Sequence, residues 1–153
     1  MKHRYGPGAL NRLHDEYGNS LLHCCVLYDS DRCLEILLDK FNLDTELCDS
    51  DGSTCLHVAA RTGRVEIVRF LLCKDVNVHA RARLDYTPLH LAAENSHVEI
   101  VRMLLRAGSK VYHHTSKGKL ASDLSKNKVV RYILSAEEAD LIKEAHLNSG
   151  DVS

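Results

Sequence analysis

The sequence predicts an all-α protein, a solenoid of stacked helix-turn-helix repeats, and two observations lead to this prediction. A four-residue segment that ends in histidine recurs three times, and His23, His57 and His90 stand 34 and 33 residues apart. A Leu-Leu pair begins 14 residues after each of these histidines. A fixed period in this range is typical of repeat architectures, in which each unit buries its apolar face by stacking on its neighbours.

Each unit is expected to form two short helices. Ser20, Thr54 and Thr87 stand three residues before the histidine, where a hydroxyl caps the free N–H groups of a first helix. The second helix is expected over residues 65–72 and 98–105 in two of the units, because apolar residues recur there at helical spacing. An Ala-Ala step in the first helix of these two units lets the second helix approach closely.

The second helices are expected to end in a left-handed residue. Gly108 suits this position in the third unit because glycine takes a positive φ freely, and Asn42 can take it in the first. Asp75 stands there in the second unit. Asp85 replaces the glycine of the turn that precedes the first helix of the third unit. Because aspartate tolerates a positive φ less well than glycine, the sequence predicts mild strain.

The two ends of the chain depart from the repeat. A degenerate fourth copy carries Asp123 at the histidine position and has a short second helix over residues 129–134. Ser135, followed three residues later by Glu138, then predicts a new N-cap. The predicted organisation has an N-terminal extension at 1–14, repeats at 15–134, a separate C-terminal helix at 135–147 and a tail at 148–153.

The segment Thr87-Pro88-Leu89-His90-Leu91-Ala92 matches the motif T-P-L-H-x-A, so residues 15–134 resemble the ankyrin-repeat family. The resemblance implies three full repeats, at about 15–48, 49–81 and 82–114, and a degenerate C-terminal capping repeat at 115–134. It also implies a β-hairpin finger before each first helix and motif histidines that bond backbone groups between repeats. Recognition of other proteins through the fingers and the concave helix face is implied as well.

Composition and charge argue against several other classes. The net charge of −1 weakens the case for a nucleic-acid binder that works by bulk electrostatics. No apolar run approaches the roughly 18 residues of a membrane span, and no apolar stretch follows the basic N-terminus as in a signal peptide. A cytoplasmic or nuclear location is expected, without membrane association. The six cysteines form no C-x-x-C pair, and most are expected to be small core residues.

Catalytic and metal-binding motifs are missing from the sequence. G-x-S-x-G, G-x-x-x-x-G-K and H-E-x-x-H do not occur, so we expect no enzyme, no cofactor and no small-molecule substrate. Motif histidines one repeat apart lie about 10 Å from each other and cannot converge on one ion. The adjacent pair His113-His114 is a weaker metal hypothesis, and we expect no metal site.

Surface residues are therefore the candidate site, and their charge changes along the chain. Residues 1–48 carry 5 basic and 8 acidic side chains, net −3, whereas residues 82–134 carry 9 and 4, net +5. This gradient predicts a partner protein with an acidic segment. Interface hot spots are enriched in tyrosine and arginine. Tyr17, Tyr28, Tyr86 and Leu84 are expected to play no part in the stacking of the repeats. The positions that the family uses for binding correspond here to Tyr17, Tyr28, Arg61, Arg81, Arg83, Leu84, Tyr86, Glu94, Asn95, Lys117 and Lys119.

The sequence is compatible with several functions. The chain is expected to be a monomeric adaptor or inhibitor. One alternative is a small stand-alone inhibitor of an NF-κB-type transcription factor or of a protein kinase. Another is a nucleic-acid binder that uses the basic third and fourth fingers with Lys126, Lys128 and Arg131. At the N-terminus, either Leu10 and Leu13 shield the first repeat, or an upstream repeat precedes it and the chain is a fragment of a larger protein.

Overall fold

The computed structural model describes residues 7–149, which form helices joined by tight turns. First helices contact one another in chain order, and so do second helices, which gives two layers. The predicted all-α repeat solenoid is confirmed. After α1 (Pro7–Leu10), the helices pair as α2 (Leu21–Leu27) with α3 (Asp31–Phe41), α4 (Cys55–Thr62) with α5 (Val65–Cys73), α6 (Pro88–Glu94) with α7 (Val98–Arg106), and α8 (Ala121–Leu124) with α9 (Lys128–Asn148).

The first helices of the three full units begin at a reciprocal cap. In the second unit the Thr54 hydroxyl accepts a hydrogen bond from the backbone N–H of His57 (3.5 Å). The His57 Nδ1 atom in turn accepts one from the backbone N–H of Thr54 (3.1 Å). The first and third units repeat this pair of bonds. Because Nδ1 is the acceptor, the neutral ring carries its proton on Nε2.

Each motif histidine also ties its unit to the next one. The rings are buried, and each Nε2–H donates to a backbone carbonyl of the following turn. This confirms the structural role that the family resemblance implies. The Nε2 to carbonyl oxygen distances are 2.6 Å from His23 to Ser53, 3.0 Å from His57 to Tyr86 and 3.0 Å from His90 to His113.

Acid is expected to destabilise the fold through these rings. Burial lowers the pKa of both His57 and His90, against the opposing effect of their bonds to backbone carbonyls. The neutral rings therefore contribute stability that is fully present above the unfolded pKa of about 6.5 and is lost as the pH falls below it. We expect the urea midpoint to fall between pH 7.5 and 5.5, and the two rings to titrate below 6.5 by NMR. A flat midpoint over that range would contradict this.

The predicted helix ends are confirmed at three positions. Asn42 has φ 47°, Asp75 has φ 60° and Gly108 has φ 95°. Gly63, which ends α4 at φ 77°, is also left-handed, and His97 packs directly against it. A Cβ at Gly63 would lie 2.6 Å from the His97 ring, whereas a Cβ at Gly108 would meet nothing within 4 Å.

Gly63→Ala is therefore expected to cost more stability than Gly108→Ala. Both variants place a side chain at positive φ, which costs about 1–2 kcal/mol. Only Gly63→Ala also displaces the His97 ring, so its total loss should reach about 2–3 kcal/mol in urea unfolding. Equal losses in the two variants would mean that the ring moves aside without cost.

The predicted break at Ser135 is wrong, because α9 is one continuous helix from Lys128 to Asn148. It begins after Asn127, whose Oδ1 accepts hydrogen bonds from the backbone N–H groups of Val129 (2.8 Å) and Val130 (3.4 Å). Glu138 does not reach back to Ser135. It accepts a hydrogen bond from Ser122 Oγ of α8 (2.9 Å), which holds the middle of α9 on the stack. Of the predicted tail, residues 150–153 lie outside the described residues.

The prediction that most cysteines are core residues is also wrong. Only Cys25 and Cys55 are buried, while Cys33 and two others are exposed. Burial raises the pKa of Cys25 to about 11 and that of Cys55 to about 12, so neither thiol is ionised at neutral pH. At the N-terminal end, Leu10 packs against the core, but Leu13 is 52% exposed and does not shield the first unit.

Candidate functional site

The turns before the first helices form a row of four fingers. Each finger is closed by one backbone hydrogen bond between residues four apart. Among the described residues there is a single isolated antiparallel bridge, between His14 and Ser20, so the fingers are tight turns rather than ladders of paired strands. The closing bonds run from Asp15 N to Asn19 O, Asp49 N to Ser53 O, Ala82 N to Tyr86 O and Thr115 N to Lys119 O.

The third finger differs from its neighbours in its backbone. The first finger opens on Asp15, whose Oδ1 accepts two backbone N–H groups, and the second opens on Asp49, which does the same. Ala82 opens the third finger and has no such acceptor. There Leu84 and Asp85 both adopt φ 60°, a conformation that costs about 1–2 kcal/mol for a residue other than glycine. Leu84 is 46% exposed, so the strained turn directs an apolar side chain into solvent.

The fingers are joined to one another by hydrogen bonds. The Ser50 hydroxyl donates to the carbonyl of Tyr17 in the first finger. The backbone N–H of Arg83 donates to Asp51 O (2.8 Å), and that of Ser116 donates to Leu84 O (2.9 Å). One chain of bonds therefore runs along the row and fixes the spacing of the tips.

A groove of about 290 Å³ lies between the second and third fingers. Four of the predicted partner-binding residues line it: Arg61 from the last turn of α4, with Arg83, Leu84 and Tyr86 from the third finger. We call this the finger groove. The stacking of two units therefore brings together residues that are up to 25 positions apart in the sequence.

Tyr86 has a structural role as well as a place in the groove. It is half-buried, and its ring centroid lies 5.7 Å from that of His90. Burial raises the pKa of the Tyr86 hydroxyl, and the charge of Glu94 raises it further. Its carbonyl accepts the hydrogen bond from His57. The prediction that Tyr86 plays no part in stacking is wrong.

Part of the positive charge of the third finger is compensated by aspartates. Arg83 Nη1 lies 3.7 Å from Asp51 Oδ1, and Arg81 Nη1 lies 4.0 Å from Asp85 Oδ1. Both pairs are exposed, and such pairs contribute about 0–1 kcal/mol, so a partner can displace them easily. In the fourth finger, Lys117 and Lys119 are exposed, and neither has an ion pair within residues 7–149.

Four other predicted residues do not line the finger groove. Tyr17 is exposed on the first finger, and Glu94 and Asn95 are exposed at the end of α6. Tyr28 is 83% exposed and lines a second, apolar groove of about 510 Å³ at the N-terminal end of the stack. The sequence predicted a binding role for Tyr28 and left open what covers the N-terminal end, but it did not predict a groove there. The available signal was Cys33, which occupies the position of the buried Ile67 and Ile100.

Two further features bear on the chemistry of the site. Among the described residues, no three histidine, cysteine, aspartate or glutamate side chains are arranged to hold a metal ion, His113 and His114 included. No helix within residues 7–149 is long and apolar enough to cross a membrane. The described surface offers loops, cations and apolar tips, which suit recognition of another macromolecule.

The fold, the capping motif and the finger row together define a stacked-repeat protein. A family profile described as ankyrin repeats (3 copies) matches residues 3–82 and 22–115. The chain belongs to the ankyrin-repeat family and is a protein–protein interaction module.

Three curated relatives illustrate the similarity. The chain is 35% identical over 142 residues to ankyrin repeat domain-containing protein SAT10 of Stachybotrys chartarum, which covers 88% of the chain. It is 25% identical over 103 residues to the NF-kappa-B inhibitor cactus of Drosophila melanogaster (48% of the chain) and 35% identical over 83 residues to human inversin (54%). The matches span only 7%, 21% and 8% of these relatives' own lengths.

Proposed function

We propose that the chain is a non-enzymatic adaptor or inhibitor that binds a partner protein through the finger groove and the fourth finger. The observation that carries this proposal is the meeting of Arg61, Arg83, Leu84 and Tyr86 around one groove. Exposed cations border an apolar tip there, with the uncompensated Lys117 and Lys119 alongside. An acidic segment that carries an apolar side chain complements this surface.

The connected finger row supports tight binding. Binding costs conformational entropy for every loop that must be ordered on contact. Hydrogen bonds between successive fingers already hold the tips in place, so little of this cost remains. The strained backbone at Leu84 supports the same proposal, because residues held in sparsely populated conformations cluster at functional sites.

Site-specific photo-crosslinking tests the proposal. A photoreactive amino acid at Leu84 should crosslink a partner from lysate, whereas the same amino acid at Tyr132, which is 76% exposed on α9, should not. Crosslinks from position 132 and none from position 84 would overturn the proposed surface. The partner recovered at position 84 then serves for quantitative binding.

A second candidate is an inhibitor of an NF-κB-type transcription factor, located in the cytoplasm or nucleus. It is favoured by the similarity to cactus, whose name identifies it as an NF-kappa-B inhibitor. Mixing the chain with a purified transcription factor of this class should yield a complex on size-exclusion chromatography. Separate elution of the two at micromolar concentrations would remove this candidate and leave the general proposal standing.

A further inference from the structure

Two histidines from neighbouring units meet at the base of the third and fourth fingers. The rings of His79 and His113 lie edge to face, with centroids 5.9 Å apart. Tyr112 stands edge-on to His113 at 5.2 Å. His79 is exposed and His113 is half-buried, so solvent reaches the pair. The charges of Arg81 and Lys110 act on His113, and we call these two residues together with His79 and His113 the histidine cluster.

The histidine cluster has an excess of positive charge. Burial lowers the pKa of His113, and the charges of Arg81, His79 and Lys110 lower it further. Within residues 7–149, no carboxylate lies within ion-pair distance of His79, Lys110 or His113. Cationic groups this close repel one another unless an anion lies between them.

One carboxylate near the cluster compensates part of this charge. Asp85 lies 4.0 Å from Arg81, at an exposed pair. Glu46, from the preceding loop, accepts a hydrogen bond from the backbone N–H of Asn77. From below, the buried His90 donates to the His113 carbonyl and contributes no negative charge.

We propose that the histidine cluster is an anion subsite that holds a carboxylate or phosphate group on the acidic segment of the partner, and that it binds this group more tightly as the pH falls. This inference rests on the proposed function and specifies where the acidic group docks. The guanidinium of Arg81 offers paired N–H donors, and Lys110 offers a point charge. Each histidine that gains a proton adds a further charge and a further donor.

The sign of the pH dependence follows from linkage. A bound anion favours the protonated ring, so His113 is expected to have a higher pKa in the complex than in the free chain. The affinity for the anion must then rise as the pH falls from above the pKa of the ring in the complex to below its pKa in the free chain. One added charge at about 4 Å in water is equivalent to about a fivefold change in affinity.

Sulfate is a suitable probe because its charge is constant between pH 5.5 and 7.5, and the histidine ring signals report binding by NMR. We expect saturable shifts of His79 and His113, and affinity at pH 5.5 at least about fivefold higher than at pH 7.5. His79→Gln with His113→Gln should remove the pH dependence, and Lys110→Gln, at an exposed position, should weaken binding in a folded chain. His14→Gln, in the acidic first finger, is the matched control and should change nothing.

Three results would overturn the inference: shifts that do not saturate, a pH dependence that survives the double glutamine variant, or an equal loss in His14→Gln. Peptide and nucleic-acid arms identify the natural source of the anion. A glutamate-rich or phosphoserine peptide should compete with sulfate better than single-stranded DNA of equal charge, and the reverse order would contradict a protein partner. Because sulfate binding needs no partner, its failure leaves the crosslinking result at Leu84 unaffected.

Discussion

Replacing Arg83 by glutamate and Leu84 by alanine together is expected to abolish partner capture while the fold stays intact. Hot-spot residues at the centre of an interface are worth 2 kcal/mol or more each, so the pair should weaken binding by more than about 100-fold. The Arg83 side chain is 77% exposed and Leu84 is 46% exposed, so neither supports the core. Circular dichroism and the urea midpoint should stay close to those of the unchanged chain.

The matched control reverses one cation and truncates one aliphatic side chain on a different face. Arg131→Glu with Val129→Ala makes the same kind of change on α9, where Val129 is 50% exposed. This control should retain full affinity for the crosslinked partner. Equal losses in the two double variants would indicate a general electrostatic attraction instead of a finger site. Tyr86 is left unchanged because its ring packs against His90.

Leu71→Ala is expected to produce the largest loss of stability. Leu71 is fully buried in α5, which lies between α3 and α7 in the layer of second helices. Removing its side chain leaves a cavity inside the stack, and such substitutions cost about 2–5 kcal/mol. In a solenoid each unit is stabilised by its neighbours, so damage to the central unit weakens both interfaces.

Leu147→Ala provides the comparison for this variant. Leu147 is 80% exposed near the end of α9, so the same chemical change should alter the free energy of unfolding by less than about 0.5 kcal/mol. Urea denaturation followed by circular dichroism measures both. A loss of less than about 1 kcal/mol in the free energy of unfolding of Leu71→Ala would contradict the claim that the second unit stabilises both of its neighbours.

Local chemistry at fixed spacing made the repeat predictable from the sequence. A hydroxyl three residues before a histidine forms the same pair of hydrogen bonds wherever it occurs, as Thr54 and His57 do. The left-handed ends at Asn42 and Gly108 are likewise set by the residues that occupy them. The position of the fingers follows from the repeat, which is why Arg61, Arg83 and Leu84 could be named together.

Contacts that do not belong to the repeated motif could not be predicted in the same way. Ser135 resembles a helix start, but Glu138 bonds to Ser122 of another helix instead. Tyr86 is predicted from the sequence to be an exposed anchor, but in the structure its ring packs against His90. His79 and His113 stand 34 residues apart, at positions that do not correspond within the repeat, so only the stacking of the units brings their rings together.

Hydrogen exchange of the chain alone and bound to its crosslinked partner tests the central claim most directly. If the stacked units display fingers that do the recognising, the amides of residues 82–86 and 115–119 should gain protection in the complex. Those of residues 136–148 in α9 should exchange at unchanged rates. Protection confined to α9 or to the end groove around Tyr28, with unchanged fingers, would contradict the claim.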